Sequence, residues 1–135
     1  MPLPKVNTPT YELVLPSSGR KIKYRPFLVR EEKILIMALE SEDVKQITNA
    51  VIEILNNCVL TKGTKIEKMS TFDIEYLFLN VRSKSVGETI DVNVTCPDDK
   101  KTKVPVKIKL DEVDVQMTTG HTNEVMLTDK MKLVL

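Results

Sequence analysis

The chain has 135 residues, 41% hydrophobic and 29% charged, which suits one soluble globular domain able to bury about two-thirds of its unfolded surface. Its 20 basic and 19 acidic residues leave a formal net charge of +1, a balance that argues against a dedicated nucleic-acid or membrane-surface binder. No apolar run approaches the roughly 20 residues of a membrane span, and the opening MPLPKVNTPT lacks the apolar core of a secretion signal.

In chain order, Pro2, Pro4 and Pro9 predict an extended arm over residues 1–9, ahead of a single α+β domain over 10–135. Tyr11, Leu13 and Leu15 alternate with Glu12 and Val14. After the turn-forming Pro16-Ser17-Ser18-Gly19, Ile22 and Tyr24 alternate with Lys21, Lys23 and Arg25. This period-two pattern predicts a hairpin with one apolar and one basic face, stopped by Pro26 because proline cannot continue a ladder.

A first helix is expected from Val29 to Leu39, with Glu31 and Glu32 at the positive end of its dipole and Ile34, Leu35, Met37 and Ala38 as its buried face. Ser41 reads as the N-cap of a second helix whose stripe is Val44, Ile47, Val51, Ile54 and Cys58, widened by Ala50, Leu55 and Val59. A third helix is expected from Ser70-Thr71-Phe72-Asp73, a capping-box-like start, to Gly87, with apolar residues on more than one side.

The remainder reads as β structure. Ile90, Val92, Val94 and Cys96 alternate on one strand, and Val104, Val106, Ile108 and Leu110 on the next, around a polar loop at residues 97–102. The expected register sets Asp91 opposite Lys109 on the solvent side and Ile90 opposite Leu110 in the core. Val113 to Met117, Met126-Leu127 and Met131 to Leu135 are read as further short strands, giving a small antiparallel sheet. The run Lys132-Leu133-Val134-Leu135 is apolar without a cap, so it is expected to insert into the fold, to pair with another chain, or to be followed by more chain.

The string Tyr24-Arg25-Pro26-Phe27-Leu28-Val29-Arg30-Glu31-Glu32-Lys33, together with Tyr11-Glu12-Leu13 and Leu15-Pro16-Ser17, resembles the start of the baseplate hub assembly proteins (the gene 26 product family) of T-even-like contractile-tailed phages. The resemblance implies a non-enzymatic assembly factor or structural subunit whose partners are other baseplate hub proteins. It also implies a helical C-terminal part beyond these residues, and a location in the cytoplasm of the infected bacterium and in the virion tail baseplate. It supplies no catalytic residue.

The residues themselves give little chemistry. His121 is the sole histidine and lies in a turn-like Thr118-Thr119-Gly120-His121-Thr122-Asn123, with no orienting or oxyanion motif beside it. Cys96-Pro97-Asp98-Asp99 has the position of a zinc knuckle but lacks the second cysteine, and Cys58 reads as a small buried hydrophobe. The adjacent acids Asp98-Asp99 and Glu31-Glu32 point apart rather than converge. Four scattered glycines form no phosphate-binding fingerprint. No cofactor, metal or catalytic residue is therefore expected. The candidate partner-contact residues are Lys21, Lys23 and Arg25 on the basic hairpin face, Phe27 at the corner, and Leu133, Val134 and Leu135, through which copies of the chain could also associate. For Arg25-Pro26-Phe27 the competing reading is structural, with Pro26 fixing the bend and Phe27 anchoring it. The alternative function is a nucleic-acid-binding accessory protein using the lysine-bearing hairpins.

Overall fold

The structure, a computed structural model, describes Pro2 and residues 7–135. The expected arm over 1–9 lies largely outside the described residues. The order is β1 (Tyr11–Val14), β2 (Lys21–Tyr24), α1 (Val29–Glu40), α2 (Val44–Cys58), α3 (Thr71–Ser85), β3 (Thr89–Thr95), β4 (Lys103–Lys109), β5 (Glu124–Thr128) and β6 (Met131–Val134). Short 3-10 turns occupy Ile66–Lys68 and Leu110–Glu112. This is the α+β class expected from the residue pattern, with β1–β2 as the N-terminal hairpin, but the strands after α3, expected to share one small antiparallel sheet, form two separate hairpins, β3–β4 and β5–β6.

The first hairpin is docked from both directions. Its register pairs Tyr11 with Tyr24 and Leu13 with Ile22, and Gly19, at φ +65°, makes the reversal that a residue with a Cβ resists. Ile22 and Tyr24 are buried on the inner face. The outer edge of β2 is closed by the chain leaving α2. Arg25 donates its N–H to the Cys58 carbonyl at 2.9 Å, Leu60 donates to Lys23 at 2.8 Å, and Lys23 donates to the Thr61 hydroxyl at 2.8 Å. The turn is held at a distance in sequence, for the Ser17 hydroxyl and N–H both donate to the buried carboxylate of Asp73 in the first turn of α3.

The core is built from Tyr24, Ile54, Leu55, Cys58, Ile66, Leu77 and Val81, with Phe27, Ile34, Leu35 and Phe78 packed around it. Each fully buried aliphatic side chain contributes about 1.5–3 kcal/mol of transfer free energy. Cys58 sits there as the small hydrophobe expected, and burial pushes its thiol pKa up to about 11.

Several expectations change in detail. Ser41 ends α1, where its hydroxyl donates to the Ala38 carbonyl at 2.6 Å. Asp43 caps α2 by accepting the Lys45 N–H at 2.9 Å. The connection is so short that Glu42 takes φ +54° to reverse the chain. Met37 is exposed, because the buried face of α1 runs Glu31, Ile34, Leu35, Ala38 and Met37 lies off that stripe. Val44 is likewise exposed. Asp73 spends its carboxylate mainly on Ser17, with Ser70 at 3.5 Å, so the capping box is not formed as expected.

In the β3–β4 hairpin Asp91 faces Lys107 and Ile90 faces Ile108, two residues along from the expected register. The loop decides this. Asp99 accepts the Thr102 hydroxyl and the Lys101 and Thr102 N–H groups, Lys100 adopts φ +54°, and Cys96 pairs with Thr102. Those bonds hold the Asp99 carboxyl down at about 2. Leu110 leaves the ladder for a 3-10 turn and is buried near α3. Residues Val113 to Met117 form no strand.

Candidate functional site

The corner around Arg25 is a packed joint. The Arg25 guanidinium reaches Glu31 at 2.9 Å and the Pro26 carbonyl at 3.0 Å, and the Glu31 side chain is only 3% exposed. Glu31 also accepts the Leu28 N–H at 2.8 Å, satisfying one of the free donors at the start of α1. Phe27 donates its N–H to the Ser85 hydroxyl at 2.8 Å, and its ring lies 5.8 Å from that of Phe78. Burial opposes ionisation of Glu31, but the Arg25 hydrogen bond, the Leu28 N–H and the Arg25 charge outweigh it and hold the carboxyl below its usual range. The same hydrogen bond raises the pKa of Arg25. Arg25 and Phe27 are thus occupied within the chain. Glu31 was expected as a helix-start carboxylate, but its pairing with Arg25, and the parts that Ser85 and Phe78 play in the joint, carry no local sequence signal.

Lys21 and Lys23 are exposed on the outer face of β2, with Lys23 3.5 Å from Glu12 across the ladder. Other hairpin lysines are similarly matched. Lys107 lies 4.0 Å from Asp91 and Lys109 3.3 Å from Glu112. Exposed pairs of this kind contribute about 0–1 kcal/mol, but they break up any continuous positive field.

Leu133 and Val134 lie on β6, and Leu135 follows it with a backbone bond to Asn123 at 2.9 Å. Every residue of β5 and β6 is exposed, including Met126, Leu127 and Met131. Among the described residues no hydrogen bond or ion pair joins this run to Lys21 or Lys23, so the candidate residues form separate surfaces.

Two further apolar surfaces escaped the sequence reading. The face of β3–β4 expected in the core leaves Val94 49% and Val104 48% exposed, with Val106 also open. The outer side of α1 exposes Val29 at 82%, along with Ile36, Met37 and Leu39. A strand alternates in the same way whether its apolar face meets its own core or another chain, so the pattern carried no sign of this.

Among the described residues there is no comparable concentration of chemical groups. His121 borders a shallow cleft with Phe72, Val115, Gln116, Met117 and Thr118, none of them a carboxylate. A polar cleft of about 280 Å³ is lined by Ser17, Arg20, Thr64, Lys65, Lys68 and Asp73 among others, with the Asp73 oxygens already engaged by Ser17. Among the described residues no group of three or more His, Cys, Asp or Glu is placed to hold a metal ion, and no helix is long and apolar enough to cross a membrane.

Comparison with curated proteins and with solved structures gives no match. The family model for the T4 bacteriophage base plate protein matches residues 8–135, which is nearly the whole chain and takes in the docked hairpin, the helical core and the open β structure alike. The chain belongs to the T4 bacteriophage base plate protein family.

Proposed function

We propose that the protein is a non-enzymatic baseplate hub assembly factor, the counterpart of the gene 26 product, acting through contacts with other hub proteins in the cytoplasm of the infected cell and in the tail baseplate. The observation that carries this reading is the placement of aliphatic side chains. Aliphatic residues stand exposed on α1, on β3–β4 and on β5–β6, while the cleft beside His121 holds no carboxylate. Apolar area of this extent marks surfaces that are covered in an assembly. Lys21, Lys23, Leu133, Val134 and Leu135 are the proposed contact residues.

Tagged chain expressed in phage-infected cells, recovered and probed for tail proteins, tests the proposal. Capture of hub components that is lost on Leu133→Asp/Val134→Asp supports it. Recovery of nucleic acid without any tail protein would defeat it, and salt-sensitive binding to a duplex would favour the nucleic-acid alternative.

A further inference from the structure

The backbone phase of β3–β4 can be read from its two ends. Leu110 donates to the Glu88 carbonyl at 2.7 Å, and Cys96 donates to the Thr102 carbonyl at 2.8 Å. The register between them is unbroken. The internally bonded positions of β3 are therefore Ile90, Val92 and Val94, continuing from Glu88 to Cys96. Thr89, Asp91, Asn93 and Thr95 turn their N–H and C=O groups outward, as do Lys103, Pro105, Lys107 and Lys109 on β4. Pro105 agrees independently, since a residue without an N–H is tolerated only where the ladder does not need one.

The two edges of this hairpin then differ. The β4 edge is blunted by Pro105 and by lysines on either side, a device that keeps strands from adding. The β3 edge carries neither, and among the described residues no hydrogen bond reaches its outward groups. It is also longer and more regular than the edges of the other two hairpins. β1 and β6 have four residues each, and β5–β6 is interrupted by a register shift between Met126 and Thr128.

The sequence of β3, Thr-Ile-Asp-Val-Asn-Val-Thr, is nearly palindromic about Val92. Laid antiparallel on a second β3 with Val92 at the two-fold axis, Thr89 meets Thr95, Ile90 meets Val94, and Asp91 meets Asn93. The outward-facing positions meet one another, so each N–H finds a C=O. The acid faces an amide instead of a second acid. The valine and isoleucine faces of both copies fall on the same side. We propose that two copies of this chain join through their β3 edges in this register, converting a pair of two-stranded hairpins into one four-stranded sheet, β4-β3-β3-β4. A lone two-stranded ribbon is marginal in water, whereas three or more strands sharing an apolar face are stable, which gives the pairing its driving force. The inference concerns self-association and does not depend on the hub-assembly reading.

The test uses the full chain with Cys96→Ser to remove the accessible thiol. Val92→Cys places two thiols opposite each other at the axis, at a site without direct backbone bonds where side chains approach most closely. Mild oxidation should yield a covalent dimer. Asp91→Cys, whose own copy lies diagonally across, should cross-link far less. In sedimentation equilibrium, Asn93→Asp sets like charges opposite each other twice and should weaken the dimer about tenfold. Asn93→Pro should abolish it by removing an outward N–H that the hairpin itself does not use, with the circular dichroism spectrum retained. If Asn93→Pro unfolds the chain, the cross-linking pair and Asn93→Asp decide the matter alone. A wild-type chain that is monomeric at its highest soluble concentration, equal cross-linking of the two cysteine variants, or a dimer indifferent to Asn93→Asp would each overturn the proposal.

Discussion

Removing the carboxylate of Glu31 should be among the more destabilising single changes available outside the aliphatic core. Glu31 is 2% exposed and accepts from both Arg25 nitrogens and from the Leu28 N–H. Deleting one member of a buried ion pair costs about 3–5 kcal/mol when the other charge is stranded. Here Arg25 keeps its bond to the Pro26 carbonyl and its side chain is 15% exposed, so part of that cost is relieved by solvent. Glu31→Gln should therefore cost about 2–3 kcal/mol, and Glu31→Ala about 1 kcal/mol more because the start of α1 loses its acceptor. Arg25→Met should cost about as much as Glu31→Gln, because it strands a carboxylate with less access to water than the guanidinium has. The double variant Arg25→Met/Glu31→Leu should fall short of the summed single losses by about 1–3 kcal/mol.

Urea unfolding followed by circular dichroism measures these differences directly through the midpoint at constant slope. The pH dependence follows from the depressed carboxyl. Its stabilisation is complete above the ordinary value of 4.5 and is lost as pH falls below that toward the folded-state value. Glu31→Gln should flatten the wild-type decline in that acid window. Single variants within about 0.5 kcal/mol of wild type, or strictly additive losses, would refute a coupled buried pair at this corner.

Asp73→Ala should lower stability by about 1–3 kcal/mol, read as a thermal shift, because Ser17 loses its acceptor inside the fold. The Cys58 thiol, with its pKa near 11, should resist a disulfide reagent at mildly alkaline pH while Cys96 reacts, and urea should expose it; two fast thiols in the native chain would contradict the packing. Leu133→Asp should change the unfolding free energy by no more than about 0.5 kcal/mol, read from the urea midpoint, since that side chain is partly open to solvent, while removing partner capture.

The three helices and the first hairpin were legible because their apolar periods are long and their punctuation is local. Pro26, Gly19 and the alternation of Ile22 and Tyr24 each act within a few residues. For Arg25-Pro26-Phe27 the structural reading, a bend fixed by Pro26 and anchored by Phe27, was legible, but two of its partners, Phe78 and Ser85, were not, because they come from a helix far along the chain. The register of β3–β4 slipped for a simple reason. A period-two pattern looks the same after a shift of two, and only the loop bonds of Asp99 and the left-handed Lys100 choose between the alternatives. Exposure of the valine face was hidden in the same way, since alternation names the apolar side of a strand without naming what lies against it.

The bonds from Ser17 to Asp73 and from Phe27 to Ser85 span more than fifty residues each. A growing polypeptide therefore cannot seat its first strands when they leave the ribosome; they must wait until the third helix has been synthesised. During that interval Ile22 and Tyr24 are open to chaperones, proteases and wrong strands, and synonymous changes that slow translation between Thr61 and Ser85 should lower the yield of folded protein without altering a single side chain.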